Sequence, residues 1–201
     1  MALPSWASHL EHKPAPPPLL LVQAFVNTLD LDLDTDMFAH ADEAQAWLAD
    51  AGLLDTASSG RPGRPELASD LRLAREFRTS IQALIAHNTD GQPFTEDDIR
   101  TLEKVGREAQ PRLRVGPAGQ VTLEAASPAS GVAGGLLGLL LIIRDAQADG
   151  SWDRLKLCGN PDCRWAFYDR SHSRRGAWCD MASCGNRLKN RNLRARRAQH
   201  S

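Results

Sequence analysis

Residues 157–163 read Leu-Cys-Gly-Asn-Pro-Asp-Cys, and residues 178–187 read Trp-Cys-Asp-Met-Ala-Ser-Cys-Gly-Asn-Arg. Cys158, Cys163, Cys179 and Cys184 are the only 4 cysteines of the chain, set as two C-x4-C pairs with 15 residues between them. Two such pairs joined by a short loop can place four soft thiolates around one Zn²⁺, with Zn–S distances of about 2.3 Å in a tetrahedral shell. Confinement to one window fits a single local metal site better than a framework of disulfides. An iron–sulfur centre, disulfides or unpaired core cysteines are the alternatives that spacing leaves open. Gly159, Asn160 and Pro161 give the first pair the composition of a tight knuckle. Trp165, Phe167, Tyr168 and Trp178 read as an apolar shell for the site, with stacking on a base the other use of one or two of them. Asp169 and Ser171 read as braces of a turn, and His172 as a surface turn residue, since four thiolates already complete a ligand set.

Outward from the cysteines the sequence is basic. Residues 151–201 hold 12 Lys/Arg against 4 Asp/Glu, a balance of +8; the totals of 24 and 25 leave 12 and 21 for residues 1–150, a balance of -9. The formal charge of -1 therefore conceals two regions of opposite sign, and only the basic one suits a polyanion. Cys179 is expected near a turn leading into a helix that includes Cys184 and extends to about Arg197, with Met181, Cys184, Leu188 and Ala195 facing inward. Arg187, Arg191 and Arg194 then form an outward ridge, broadened by Lys189, Arg196 and Arg197, that can neutralise successive phosphates. A protein partner and simple structural support remain open for the same charges. Arg187 is divided evenly between touching phosphate and holding the fold, because four thiolates with Zn²⁺ sum to -2 and need cations nearby.

Upstream, residues 1–18 with their proline cluster read as a flexible lead. Leu19, Val22, Phe25, Val26 and Leu29 share a helical stripe, which the acidic stretch Asp30 to Asp36 ends. A second helix is expected from Asp42, as N-cap, to Ala51, with Trp47 and Leu48 inward and Gly52 as the stop. Residues 58–65 read as a loop and 66–87 as the clearest long helix. Thr95 and Asp98 predict a capping box that opens a helix to about Glu108, with Ile99, Leu102 and Val105 on one side. Leu113/Val115 and Val121/Leu123 alternate around residues 116–119 as a two-strand hairpin, and 133–148 as a buried helix despite Gly134, Gly135 and Gly138. The fold class is thus mainly α with a small β-hairpin. Its parts are a lead over 1–18, a helical domain over 19–150, and a zinc finger of knuckle-and-helix type over 151–201, whose apolar content is too small for a core without help from metal.

The apolar run 132–143 is shorter than the roughly 20 residues a membrane span needs, and no secretory signal is evident. A soluble cytoplasmic protein with no membrane partner is the expectation. The glycine-rich segments lack the phosphate-binding and dinucleotide signatures, and no catalytic motif occurs, so an enzyme is not expected.

Leu157-Cys158, Cys163, Phe167-Tyr168-Asp169-Arg170-Ser171, Trp178-Cys179 and Cys184-Gly185-Asn186-Arg187-Leu188-Lys189 closely resemble the CGNR zinc-finger family. Phe25-Val26-Asn27-Thr28, the segment around Trp47-Leu48 and the helix at 66–87 resemble the N-terminal domain usual in that family, described as a putative stress-induced transcription regulator. The resemblance implies a bacterial, cytoplasmic protein with one structural Zn²⁺ on the four cysteines, a DNA-binding tail, and a larger domain that senses a small-molecule ligand. Asp180 stands where a small polar residue is common, and its charge opposes phosphate locally. Asn27 and Thr28 are candidates for a ligand pocket, against the simpler role of a helix edge or local cap. The functional expectation is a zinc-dependent DNA-binding transcription regulator. The rival is a zinc-stabilised protein-interaction or scaffold module, engaged with a protein partner or in a homo-oligomer, with RNA binding subsidiary to both.

Overall fold

The structure, a computed structural model, describes residues 3–8, 11–54, 65–124, 131–187 and 191, with the side chains of 65–67 left aside. Among the described residues, five helices carry the N-terminal region: α1 (Leu19–Val26), α2 (Ala41–Asp50), α3 (Pro65–Asp90), α4 (Glu96–Ala109) and α5 (Val132–Asp149). Three two-stranded antiparallel pairs accompany them: β1 (Leu29–Asp30) with β2 (Thr35–Asp36), β3 (Arg112–Val115) with β4 (Val121–Glu124), and β5 (Leu155–Leu157) with β6 (Ala166–Tyr168). No helix among the described residues is long and apolar enough to cross a membrane.

Helix α1 packs against α3, α5 and β6. Leu19, Leu20, Val22, Ala24, Phe25 and Val26 are all buried, so it is enclosed rather than one-sided. It ends at Val26, before the expected Leu29, because Asn27 and Thr28 turn the chain into β1. Phe25 lies 5.6 Å from Phe38, 6.1 Å from Trp47 and 5.8 Å from Phe77 between ring centroids, tying α1, α2, α3 and the β2–α2 link together. Leu71, Ala74, Phe77, Ile81 and Ile85 form the buried stripe of α3. The acidic stretch forms the small β1–β2 hairpin, gripped from α3 by Arg78. That guanidinium donates to both Asp36 carboxylate oxygens at 2.7 Å and to Thr28 Oγ1 at 2.9 Å, and it sits 5.0 Å from the Phe38 ring centre.

Several local expectations hold and others shift. Thr95 accepts from the Asp98 amide and the Asp98 side chain accepts from the Thr95 amide, a complete capping box. The cap of α2 is His40, not Asp42, which lies in the first helical turn where its charge faces the positive end of the helix. On α4 Val105 and Ala109 are buried and Leu102 packs partly buried against the core, as expected for Leu102 and Val105; Ile99 is 43% exposed because the first turn of α4 lies outside the packed interface. Gly135 lets α5 press on the segment after α2, since a Cβ there would lie 2.0 Å from the Leu53 carbonyl oxygen. The β3–β4 ribbon has the expected strands and turn, with Leu113 opposite Leu123 and Val115 opposite Val121, and all eight strand residues are exposed.

Residues 11–15 are not a free lead. Glu11 and Ala15 are buried, and the Tyr168 amide donates to the Lys13 carbonyl at 2.9 Å. Glu11 and Gln23 supply polar partners that draw this stretch onto α1.

Candidate metal centre

The β5–β6 hairpin, which the sequence reading did not contain, carries the site. Its register pairs Leu155 with Tyr168, Lys156 with Phe167 and Leu157 with Ala166. Alternation then divides its two faces. Leu155, Leu157, Ala166 and Tyr168 join the main core, whereas Phe167 packs with the four cysteines, Trp165 and Trp178. Tyr168, expected in the shell of the site, therefore belongs to the other side of the wall. Thr89 at the end of α3 accepts from the Leu157 amide at 2.9 Å, and Asn88 donates to the Trp152 carbonyl at 3.0 Å. The finger thus takes one face of its support from the helical region.

The knuckle folds as its composition demands. Asn160 accepts through its carbonyl from the amides of Cys163 and Arg164, and Cys158 donates to the Trp165 carbonyl at 2.9 Å. Gly159 donates to the Ala177 carbonyl at 2.8 Å, and a Cβ on Gly159 would sit 3.1 Å from the Trp178 ring. This draws the second cysteine arm against the first. Asp180 caps the next turn, accepting from the amides of Ala182 and Ser183 at 3.2 and 2.9 Å. Its carboxyl is held below the ordinary range chiefly by the hydrogen bonds of Ser183. Residues Met181–Gly185 form one wide π-type turn in place of the expected regular helix start, and Met181 is 57% exposed rather than inward. Asp180 fixes the turn, and Gly185 leaves room for the Met181 sulfur, which would lie 2.5 Å from a Cβ at that position.

These elements bring all four sulfurs together. Cys158, Cys163, Cys179 and Cys184 are buried and free, with their Sγ atoms all within 4.8 Å of one another. Cys163 and Cys184 each stand 3.8 Å from Cys179. A tetrahedron with Zn–S bonds of about 2.3 Å has sulfurs about 3.8 Å apart, whereas a disulfide needs about 2.05 Å. The spacing therefore fits one ion at the centre and excludes disulfides. Thiols this close restrain one another: contact with Cys163 and Cys179 pulls Cys158 down, while contact with Cys158 pushes Cys163 up, and Cys158 and Cys163 push Cys179 up. A dication removes that conflict, because coordination deprotonates each thiol. Asn160 Nδ2 lies 3.9 Å from Cys184 Sγ as an additional donor to the sulfur. The cysteines hold one structural zinc ion.

Asp169 organises the loop between the two arms, a role its turn position had foretold. It is 3% exposed and accepts from the Ser171 and Gly176 amides at 3.0 and 2.7 Å and from Lys156 Nζ at 3.1 Å. Burial opposes its charge, but the hydrogen bonds from Ser171, Lys156 and Gly176 win, so its carboxyl stays far below the ordinary range. Lys156 was missed by sequence reading; a lysine between two buried leucines is the signal that marks it.

The other candidate residues fall as follows. Asn27 Nδ2 donates to Glu11 Oε1 at 2.8 Å and to the Ala166 carbonyl at 2.9 Å, and its Oδ1 accepts from the Ala166 amide at 2.7 Å. Thr28 donates to the Phe25 carbonyl at 2.7 Å and accepts from Arg78. Both are thereby committed to internal bonds, Asn27 at the joint of α1 with β6. Arg187 Nη1 lies 2.5 Å from Asp32 Oδ1, and Arg191 Nη1 lies 2.9 Å from Asp162 Oδ2. Lys189, Arg194, Arg196 and Arg197 lie outside the described residues, as do Leu188 and Ala195 of the expected inward face.

Residues 154–197 match the CGNR zinc finger, and residues 20–148 match the family described as putative stress-induced transcription regulator. Neither is a family of enzymes. Among curated proteins, none matches the chain.

Proposed function

The chain belongs to the putative stress-induced transcription regulator family, with a CGNR zinc finger at its C-terminal end, and from this premise we propose that it is a DNA-binding regulator whose finger contacts the phosphate backbone. The observation that carries the reading is the segregation of charge: +8 over residues 151–201 against -9 over the remainder. A metal-fixed frame that displays this excess can neutralise several phosphates at once. Arg187, Lys189, Arg191, Arg194, Arg196 and Arg197 are the proposed contacts. Arg187 and Arg191 exchange exposed partners, Asp32 and Asp162, for phosphates on binding. Such exposed pairs hold weakly, so the exchange costs little. Four thiolates fill the tetrahedral shell and leave no position for a catalytic water, which speaks for a structural rather than hydrolytic ion. Asn27 enters as part of the joint between finger and helical region, the route by which an event in one region would reach the other, while Thr28 braces the helical region through Phe25 and Arg78.

Titration of the zinc-loaded protein against duplex DNA at rising salt tests this. Affinity should fall steeply with salt, and charge reversal at Arg191, Arg194 and Arg197 should weaken binding and flatten that dependence. A folded, zinc-loaded protein that binds no duplex at low salt would refute the reading. A protein-assembly role is favoured by one observation, the exposed Leu113, Val115, Val121 and Leu123 of the β3–β4 ribbon. A shift to a larger species in sedimentation, abolished by polar substitutions there, would establish it.

A further inference from the structure

Between β6 and Cys179 the chain reads Arg170-Ser171-His172-Ser173-Arg174-Arg175, six exposed residues with three arginines and no acid. We infer that this loop is a second, preformed phosphate-contact surface of the finger, separate from the basic tail. The inference rests on the DNA-binding reading above and adds to it where the nucleic acid would be held.

The loop is exposed but firmly built from beneath. Asp169 closes it by accepting from the amides at both of its ends, Ser171 and Gly176. Gly176 is required there, because a Cβ would lie 2.7 Å from the Asp169 carboxylate. Buried Lys156 links Asp169 to the Arg174 carbonyl, donating to both. Arg154 Nη1 donates to the carbonyls of Asp169 and Ser171, each at 3.0 Å. Arg174 is held with φ 52°, a left-handed conformation that arginine rarely adopts. A buried ion pair is a costly way to stabilise a fold and is better suited to fixing one geometry. The geometry fixed here is the outward display of cations.

The side chains above this base suit phosphodiester oxygens. Arg175 has no hydrogen bond or ion pair among the described residues, and Arg174 has only Asp153 at 3.7 Å, with the two side chains 51% and 64% exposed. Arg170 donates to the Pro14 carbonyl at 2.8 Å and has no acidic partner among the described residues. By contrast, Arg187 and Arg191 of the tail already face carboxylates. Guanidinium forks and the hydroxyls of Ser171 and Ser173 all donate to phosphate. The loop has no apolar or aromatic side chain of the kind that anchors protein interfaces, which favours a polyanion over a protein surface. Because the backbone is already fixed, little order has to be imposed on binding.

The test uses the full zinc-loaded chain and a mixed-sequence DNA duplex, with the dissociation constant measured across salt concentrations. Replacing Arg174→Ala together with Arg175→Ala should weaken binding at low salt by roughly tenfold or more, and should reduce the logarithmic salt slope by about 2, near 0.9 for each lost phosphate contact. Arg175→Ala alone, at a side chain with no hydrogen bond or ion pair among the described residues, should reduce the slope by about 1 with zinc content and unfolding temperature unchanged. The pair Arg72→Ala and Arg100→Ala, exposed helix arginines of the other region, controls for loss of net charge and should leave the slope as it was. If the wild type binds duplex and both loop variants keep its slope and affinity, the loop is not a contact surface and the tail alone carries the binding. If the wild type binds no duplex at all, the DNA reading falls and the loop inference falls with it.

Discussion

Glu11 shows how one side chain can join two regions and set a pH dependence. It is 5% exposed and accepts from Asn27 and Gln23, the residues that also bind the Ala166 carbonyl of β6. Burial pushes its carboxyl up to about 7 against the pull of those hydrogen bonds. The folded value lies above the unfolded one, so the folded state holds the proton more tightly. Its contribution to stability is complete below the unfolded value of 4.5 and is lost as pH rises through about 7. Between pH 5 and pH 8 this loss amounts to about 2.5 kcal/mol. Urea unfolding at the two pH values should show wild-type stability falling by that much relative to Glu11→Gln, which cannot titrate. A parallel pH response in both proteins would show that Glu11 does not control the joint. Asp36 presents the opposite balance: burial alone would raise it, but hydrogen bonds and charge from Arg78 prevail and hold its carboxyl low. One carboxylate has a guanidinium across from it and the other only uncharged N–H groups, which accounts for the difference.

At the level of elements, α5 is governed by where its glycines fall. Gly135 faces backbone: a Cβ would lie 2.0 Å from the Leu53 carbonyl oxygen and 2.6 Å from its carbonyl carbon. Neither side can yield by rotating a side chain. Gly135→Ala should therefore destabilise by about 1–3 kcal/mol or more, the range for overpacking a close contact. Gly138, three residues on in the same helix, has nothing within 4 Å of its would-be Cβ. There alanine removes only the entropy cost of glycine and should stabilise by about 0.5–1 kcal/mol. Denaturant midpoints for the two variants should move in opposite directions; a shift of the same sign would contradict this packing of α5. Both glycines weakened the helical signal in the sequence equally, since propensity has no knowledge of what lies opposite. The capping box at Thr95 was legible for the converse reason: donor and acceptor lie within one turn. The strands β5 and β6 escaped notice because three residues each give too short an alternation to read.

In the whole molecule, metal and core share one wall. Leu155, Leu157, Ala166 and Tyr168 belong to the main hydrophobic cluster while Phe167, between Ala166 and Tyr168, belongs to the cysteine cluster. Stripping zinc should consequently disturb more than the finger. Chelation, or Cys184→Ser, is expected to lower the thermal midpoint of the helical signal by roughly 10 °C, as a loss of a few kcal/mol would in a chain of this size. A finger that melts alone, with helical ellipticity unchanged at the original temperature, would disprove the shared wall.

The sequence by itself determined the zinc ligands, the basic character of the C-terminal region and the main helices, because spacing, charge and periodicity are properties of neighbours along the chain. Tertiary structure alone decided that Asn27 binds Ala166, that Arg187 meets Asp32, and that residues 11–15 lie on α1. Those contacts join groups up to 155 positions apart. For Asn27 and for residues 11–15 the partners are selected by the buried geometry of the packed helices, where an unpaired polar group is too costly to leave; Arg187 and Asp32 meet at the surface because the fold brings them side by side, and no local pattern encodes either choice.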